Sequence, residues 1–348
     1  MSELGERKYS GKGKRTYQPL KGAPEDAEPY IASKDLVEAV NMALHLRRPL
    51  LLEGDPGVGK TRLAYAVAYE LGFPLLPIYI RSTSRAQDLL YTFDAVRRLY
   101  DIQERAAGFG SGARSSKAKA VSARDEKSDK RGYVDLGRLG EAIKLAEHDT
   151  PSVVLIDEID KADIDFPNDL LLVLDRLEFD IEEVQGWGFK ALKNRTREER
   201  REFLPLVIVT SNREKELPAP FLRRCLFYYI QFPNESELAE IVEKHFGMKP
   251  DRLFDEALKK FWALHMQKSF TWRKTPSTSE LIDWLRVLRK AEENGELTAE
   301  TLAGKPLSQL PHLEALVKTQ SDLDALSRLP AAPTVSEVKP DTETKRGE

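Results

Sequence analysis

The sequence predicts an α/β fold, in which helices cover both faces of a parallel sheet, followed by a small all-helical domain. Three observations support this prediction. Residues 50–80 carry strand, turn, helix and strand signals in that order, which is the pattern of a βαβ unit with parallel strands. Two more runs of strand length, 153–156 and 206–209, are wholly apolar, as in strands buried on both faces. After Pro233, apolar residues recur at helical spacing.

Each element follows from its own local signal. A helix is predicted over residues 36–44, where apolar residues lie three or four apart. The next helix ends at Gly72, because glycine readily adopts the left-handed conformation of a helix stop. Ser277 and Glu280 form a capping box that begins a helix of the second domain. In chain order, the predicted core elements are a helix over 36–44, a strand over 49–52, a helix over 63–71, strands over 75–80 and 153–156, a helix over 169–177 and a strand over 206–209.

Composition divides the 348 residues into four segments. Residues 1–30 mix Lys, Gly, Pro and Glu without an apolar period and are predicted to form a flexible tail. Residues 31–232 form the predicted core, and residues 233–305 form the helical domain. Residues 306–348 are rich in Pro, Thr, Glu and Lys, which predicts a mostly disordered chain. The length also favours two domains, because single cores stop growing near about 250–300 residues.

Two polar inserts interrupt the core. Residues 105–132 contain four glycines and eight Lys and Arg against three Asp and Glu, which predicts a mobile basic loop. Residues 180–205 form the second insert. They fit either a hairpin or a helix and loop, and periodicity does not distinguish the two.

The overall composition excludes several classes of protein. The formal net charge of −3 argues against a nucleic-acid or membrane coat protein, because such proteins carry a basic excess. The single cysteine, Cys225, allows no internal disulfide and no Cys-rich zinc site. No apolar run approaches the 18 or so residues that span a membrane, and residues 1–6 lack the apolar stretch of a signal peptide. We therefore expect a cytoplasmic protein with no membrane partner.

A phosphate-binding loop is predicted between the first strand and the second helix. Its residues are Gly54, Asp55, Pro56, Gly57, Val58, Gly59, Lys60 and Thr61, which fit the pattern GxxxxGK[ST]. Glycines let backbone N–H groups turn toward phosphate oxygens, and the following helix presents its positive end to the same anion. Lys60 is expected to reach the β- and γ-phosphates of ATP, and Thr61 to bind Mg²⁺. The alternative is an ordinary glycine-rich turn.

Two carboxylates follow the apolar strand at 153–156. Ligand sites of parallel sheets collect at the carboxyl ends of the strands, so Asp157 and Glu158 are expected beside the phosphate loop. Asp157 is expected to hold Mg²⁺ through the water shell of the ion. Glu158 is expected to orient the attacking water or accept its proton. Acidic residues also follow many strands without any function, and the pairing with Lys60 and Thr61 favours the functional interpretation.

The order of four motifs resembles that of AAA+ ATPases. They are GDPGVGKT at 54–61, VVLIDEIDKAD at 153–163, VTSN at 209–212 and FLRRC at 221–225. The linking segments resemble the MoxR branch, and the resemblance covers about residues 31–290. It implies a P-loop NTPase sheet in an αβα AAA+ core, followed by a helical lid domain.

The resemblance also implies roles for single residues. Asn212 matches sensor 1, which positions water and γ-phosphate, although Asn is also an ordinary turn residue. Arg224 matches the arginine finger that enters a neighbouring subunit's site. The family commonly has an acidic residue where Arg223 stands, so which arginine inserts stays open, and both could be surface charges near a helix end. The lid helix lacks the expected sensor 2 arginine, and Arg273 or Lys274 is the candidate replacement; a solvated cation is the alternative.

The resemblance further implies an ATP-driven chaperone-like motor that works as a ring, with a hexamer as the expected state. Its client would be a protein that it remodels or activates, often one with a von Willebrand factor A domain. The two inserts match segments that project toward the ring's pore, and Phe109 or Trp187 could grip the client. The alternative is a flexible linker with an incidental aromatic, which the residues favour for Phe109 and leave open for Trp187. A slow, nucleotide-gated scaffold is the second hypothesis. A nucleic-acid remodeller is the third, supported only by the basic loop at 105–132.

Overall fold

The computed structural model describes residues 7–106 and 130–329. These residues divide into two compact units, with the boundary between Phe232 and Pro233. The first unit contains the sheet, and the second is helical throughout its described part.

The first unit is built on a sheet of five parallel strands. The strands of this unit are β1 (Leu50–Gly54), β2 (Leu75–Tyr79), β3 (Tyr91–Phe93), β4 (Val134–Leu136), β5 (Val153–Asp157), β6 (Glu178–Asp180), β7 (Gly188–Lys190), β8 (Leu206–Ser211) and β9 (Leu226–Ile230). The central sheet has the order β2-β5-β8-β1-β9. Its parallel pairing confirms the predicted fold class, and β9 is a strand that the apolar pattern did not predict.

Helices cover both faces of this sheet. The α-helices of the first unit are α1 (Lys34–Leu46), α2 (Lys60–Leu71), α3 (Ala95–Ala106), α4 (Arg138–Glu147), α5 (Phe166–Arg176), α6 (Arg197–Arg200) and α7 (Ala219–Leu222). Alternation along β1 separates two apolar cores, because neighbouring strand residues point to opposite faces. Leu50 and Leu52 pack with α1 and α2, whereas Leu51 packs with α4 and α5. The helix α2, which follows the phosphate loop, therefore packs against the sheet through buried apolar residues.

The segment before α1 corrects the prediction of a flexible tail for residues 1–30. The described residues 7–30 pack along α2 and the start of the sheet. Tyr9 is buried among the side chains of α1 and α2. Its backbone N–H and carbonyl both bond the side chain of Asn41, at 3.0 and 2.8 Å. Buried Glu70 accepts the N–H groups of Ser10 and Gly13. Burial alternates along residues 7–17, but the inward positions hold Arg, Tyr and Gly, so the sequence shows no apolar period there.

The second unit is a bundle of short helices. They are α8 (Glu235–Phe246), α9 (Arg252–His265), α10 (Thr278–Glu293), α11 (Ala299–Gly304) and α12 (Gln320–Ser327). The predicted capping box of Ser277 and Glu280 starts α10. The prediction of disorder from residue 306 onward is wrong for residues 306–329. Leu316 and Leu326 are buried there, and Asp322 of α12 fastens the segment by hydrogen bonds.

Both inserts contain regular structure where they are described. The first begins inside α3 and ends before β4, which pairs with β3 in an antiparallel ribbon. Its centre, residues 107–129, lies outside the described residues. The second contains both structures that periodicity left open. The hairpin β6–β7 is followed by α6, which begins at a capping box of Thr196 and Glu199.

Candidate functional site

The loop between β1 and α2 takes a shape that needs glycine. Gly54, Gly57 and Gly59 have φ angles of 154°, 78° and 93°, a region that residues with a side chain rarely adopt. A Cβ on Gly54 would lie 2.5 Å from the carbonyl oxygen of Ile230 in β9, and one on Gly59 would lie 3.0 Å from the ring of Tyr30. The loop is therefore packed against its neighbours on its outer side, and its N–H groups lie at the start of α2.

The amino end of α2 has the properties of an anion site. Its N-cap, Gly59, provides no side-chain hydrogen bond, and the first turn contains no acidic residue. Free N–H groups and the helix dipole therefore favour an external anion. Lys60 is buried and donates from Nζ to the carbonyl oxygens of Gly54 and Asp55, at 2.8 and 3.0 Å. Burial lowers the pKa of Lys60, whereas nearby carboxylates act in the opposite direction.

Thr61 and Asp157 meet beside this helix end. Thr61 Oγ1 donates to Asp157 Oδ1 at 2.9 Å, and Thr210 Oγ1 of β8 donates to the same oxygen at 2.6 Å. Asp157 itself is buried at the end of β5. Three neighbouring strands or their following loops thus bring one carboxylate and two hydroxyls to the carboxyl edge of the sheet.

This oxygen set fits Mg²⁺. Among residues 7–106 and 130–329, no group of three or more His, Cys, Asp or Glu could hold a metal. Mg²⁺ in phosphate sites needs no such cage, because it keeps waters and phosphate oxygens and takes only one or two protein ligands. The Thr61 hydroxyl and the Asp157 carboxylate are hard oxygen donors 2.9 Å apart, and oxygen atoms are the ligands that Mg²⁺ takes.

Glu158 stands next to this pair in an unusual backbone conformation. Its φ and ψ are 59° and 51°, the left-handed region that a non-glycine residue occupies at a cost of about 1–3 kcal/mol. Asn212 Nδ2 donates to Glu158 Oε1 at 3.2 Å, so the structure brings these two predicted residues together. Lys161 donates to the other carboxylate oxygen, and this hydrogen bond raises the pKa of Lys161.

Asp160 is a residue of this edge that the sequence did not single out. It is buried, and its Oδ2 accepts the backbone N–H groups of Asn212 and Glu214, at 3.0 and 2.9 Å. Asp160 therefore fixes the loop that carries Asn212. The available signal was its place three residues after Asp157, which puts it on the short helical turn Ile159–Lys161 below Glu158.

Arg223 and Arg224 lie at the opposite edge of the sheet. They follow α7 and precede β9, so they stand at the amino ends of the strands, and both are exposed. Arg224 Nε forms an ion pair with Asp175 Oδ2 of α5 at 3.3 Å. The structure therefore separates these arginines from the phosphate loop of their own chain.

A family model described as "ATPase family associated with various cellular activities (AAA)" matches residues 50–233. The match covers more than half of the chain and includes the phosphate loop, the acidic pair and the arginine turn. The chain belongs to the AAA family of ATPases. The AAA fold, with its phosphate loop between β1 and α2 and a helical region after the sheet, is the one that the sequence predicted.

The similarity of this AAA ATPase to individual proteins extends over very different shares of its chain. Midasin of Giardia intestinalis is 48% identical over 48 residues, which are 14% of this chain and 1% of midasin, so the chain spans only a small part of that protein. A structure solved to explain katanin self-assembly is 15% identical, with a TM-score of 0.38, and the match covers 87% of this chain and 84% of that one. The structure of a mutant of Thermotoga maritima RuvB is 16% identical, with a TM-score of 0.43, over 78% of this chain and 68% of that one.

The candidates for sensor 2 lie in the second unit of the AAA ATPase. Arg273 and Lys274 are exposed, and their backbone N–H groups donate to the two carboxylate oxygens of Asp322, at 2.9 and 3.2 Å. Lys274 Nζ also pairs with Glu280 Oε1 at 3.3 Å. Asp322 was not predicted as a site residue, because it lies in the segment that composition assigned to a disordered tail.

The two aromatic residues of the inserts have different outcomes. Phe109 lies outside the described residues. Trp187 is half-buried against the core that contains Leu51. Its ring centroid lies 5.9 Å from that of Phe189, and the Arg131 guanidinium lies 5.1 Å from the Trp187 ring centroid. These contacts give Trp187 a packing role in the β6–β7 hairpin, and its proposed grip on a client stays a prediction.

None of the described helices combines the length and apolar character needed to cross a bilayer.

Proposed function

We propose that this AAA ATPase hydrolyses ATP with Mg²⁺ and works as a MoxR-like remodelling motor in a homo-oligomeric ring, with a hexamer as the expected state. One observation carries the proposal. Thr61, Asp157 and Glu158 lie together at the carboxyl edge of the sheet, beside a helix whose first turn contains no acidic residue. This is the combination that phosphate binding and water activation require.

Lys60 and Thr61 bind the triphosphate in the proposed reaction. Lys60 leaves the carbonyls of Gly54 and Asp55 for the β- and γ-phosphates, because a hydrogen bond between two charged groups is stronger than one to a neutral carbonyl. Thr61 would bind Mg²⁺ directly, and Asp157 would hold it through its water shell. When bound, Mg²⁺ neutralises the charge that develops on the phosphate oxygens.

Glu158 acts on the attacking water. Its carboxylate accepts the proton or orients the water, while Asn212, which already bonds that carboxylate, positions water and γ-phosphate. The ion pair with Lys161 has to loosen for this role, since it occupies the second oxygen of Glu158. The left-handed backbone conformation at Glu158 sets the direction in which its side chain leaves the main chain.

The positions of the arginines support the ring. Arg223 and Arg224 lie at the amino edge, and the five residues of β1 separate that edge from the phosphate loop by about 16 Å at 3.3 Å per residue. An arginine of the same copy is too far away, so a second copy would supply it. Such a head-to-tail contact repeats from copy to copy, and it forms a ring when the rotation between copies closes, as the proposed hexamer requires.

The remaining parts of the proposal concern the cell. We expect a cytoplasmic protein, in agreement with its single, buried cysteine. The expected client is a partner protein, with a von Willebrand factor A domain as the first candidate; this expectation rests on the resemblance of the motifs and not on a contact in the structure. A slow nucleotide-gated scaffold is the second candidate function, which the pairing of Glu158 with Lys161 favours.

Steady-state hydrolysis of ATP with magnesium tests the proposal. Wild type should turn over, and Glu158→Gln should bind ATP normally but hydrolyse it about 10²–10⁴-fold more slowly, because it loses the general base. Both proteins should assemble when ATP is present. Equally slow hydrolysis by wild type and Glu158→Gln would favour the scaffold. A wild type that does not bind ATP, or that stays monomeric with it, would contradict the proposal.

A further inference from the structure

Arg48 holds the backbone of the turn that carries Arg223 and Arg224. Its Nε donates to the carbonyl oxygen of Arg224 at 3.0 Å. One of its terminal nitrogens donates to the carbonyl oxygens of Arg223 and Cys225, at 2.5 and 3.4 Å. Three consecutive carbonyls are thus bound by one guanidinium. Because that group is planar and its donors form a rigid fork, it fixes the orientation of the turn as well as its position.

The register of the sheet explains this contact. Leu50 of β1 pairs with Leu226 of β9 in parallel register, and the N–H of Leu226 bonds the carbonyl of Pro49 at 2.8 Å. Arg48 and Arg224 each lie two residues before the paired leucines. They therefore emerge side by side at the amino edge, and the pairing of two strands places Arg48 beside a turn that is 175 residues away in the chain.

The turn held by Arg48 presents its two guanidinium groups differently. Arg224 pairs with Asp175, whereas Arg223 forms no ion pair or side-chain hydrogen bond with any described residue. Arg48, Arg223, Arg224 and Asp175 line one cavity of about 410 Å³. Backbone contacts hold the turn, and among its two guanidinium groups that of Arg223 is left for an acceptor outside this copy.

We propose that Arg48 is a positioning residue for ATP hydrolysis in the neighbouring copy, an inference that rests on the proposed function. Arg48 does not touch the phosphate. It holds the 223–225 turn so that whichever arginine crosses the subunit boundary arrives at the neighbour's γ-phosphate. Arginine fingers contribute about 10³–10⁵ in rate, and a misplacement of about 1 Å can cost 10²-fold. Loss of Arg48 should therefore slow the neighbour's site and leave its own site intact.

Mixing of full-length variants tests this directly. Arg48→Ala alone should bind ATP as wild type does but turn over about 100-fold more slowly. Glu158→Gln has the opposite defect, since its own site is inactive and its arginine turn is intact. In a mixed ring, some Glu158→Gln copies serve an Arg48→Ala neighbour whose Glu158 is present, so those sites have both an intact turn and an intact general base. The mixture should hydrolyse ATP several-fold faster than the sum of the separate proteins. A purely structural role for Arg48 would not produce this gain.

Two further variants complete the design. Arg48→Lys keeps the charge but loses the fork, so it should recover only part of the turnover. Arg47→Ala is the matched control, because Arg47 lines the same cavity but donates to Leu204, away from the turn; it should turn over like wild type. If Arg48→Ala does not fold, Arg48→Lys is mixed with Glu158→Gln in its place.

Two results would overturn the inference. One is wild-type turnover in Arg48→Ala, or in Arg48→Lys where Ala does not fold. The other is slow turnover that the Glu158→Gln partner does not rescue. Either result leaves the proposed function intact as long as wild type hydrolyses ATP. Absence of hydrolysis by wild type contradicts the proposed function instead.

Discussion

The two edges of the central sheet hold their charged residues in different ways. At the carboxyl edge, side chains bond one another: Thr61 and Thr210 to Asp157, and Asn212 to Glu158. At the amino edge, arginines bond backbone carbonyls, as Arg48 does in the turn before β9. The carboxyl edge is a set of functional groups arranged around a ligand position. The amino edge is a rigid turn that exposes cations.

This difference indicates where each edge finds its ligand. Polar groups that bond one another inside a copy can give up those hydrogen bonds to a ligand. Buried Lys60 donates to two loop carbonyls, and phosphate oxygens can replace them. Arg223 has no acceptor to exchange within the described chain, although its backbone is held. This contrast supports the proposal that the first edge serves its own copy and the second serves a neighbour. Two substitutions test this division, and a third tests the helical unit outside both edges.

Lys60→Ala should have the largest effect. It removes hydrogen bonds to two phosphates, each worth about 1.5–3 kcal/mol, so ATP affinity should fall more than about 100-fold. Titration of ATP with magnesium measures the change. Arg62→Ala is the matched control, because Arg62 lies two residues further along α2, is exposed and pairs with Glu28. Unchanged affinity in Lys60→Ala would show that the carboxyl edge is not the phosphate site.

The carboxyl edge could be predicted from sequence much better than the amino edge. The phosphate loop is a continuous motif, and Asp157, Glu158 and Asn212 each follow an apolar strand, so local pattern and parallel topology suffice. Arg48 acts through the register of β1 and β9, and β9 is an edge strand whose residues are mostly half-exposed, without a continuous apolar signal. Tyr9 likewise depends on distant Asn41. Contacts between residues far apart in the chain leave no local pattern.

Asp322→Asn should have an intermediate effect, in a region outside both edges. Asp322 is buried and accepts the N–H groups of Arg273 and Lys274 and the hydroxyl of Thr319. Replacing its charge should cost the second unit about 1–3 kcal/mol. Tryptophan fluorescence during denaturation suits the measurement, because three of the four tryptophans lie after residue 232.

The pH dependence sharpens this test. Burial acts to raise the pKa of Asp322, but the hydrogen bonds from Arg273, Thr319 and Lys274 outweigh it and leave the pKa below its ordinary value. A lowered pKa in the folded state means that the stabilisation is present above the unfolded pKa, near 3.9, and is lost as pH falls through the folded value. Asp322→Asn should flatten this acid loss. An unaltered acid profile would show that other carboxylates cause it.

Asp175→Asn should have the smallest effect, and it distinguishes the two arginines of the amino edge. The Asp175–Arg224 ion pair is half-exposed on both sides, so it is worth no more than about 1 kcal/mol, or roughly fivefold in rate. If Arg224 crosses the boundary, breaking the pair frees it, and turnover at saturating ATP should rise by up to that factor. If Arg223 crosses, turnover should not change.

Salt screens exposed ion pairs, so any rise in turnover of Asp175→Asn should shrink as ionic strength increases. Asp283→Asn breaks a similar exposed pair with Arg286 in the second unit and should change nothing. A fall in turnover would contradict both alternatives, because it would mean that the Asp175 tether, like Arg48, helps to present the turn.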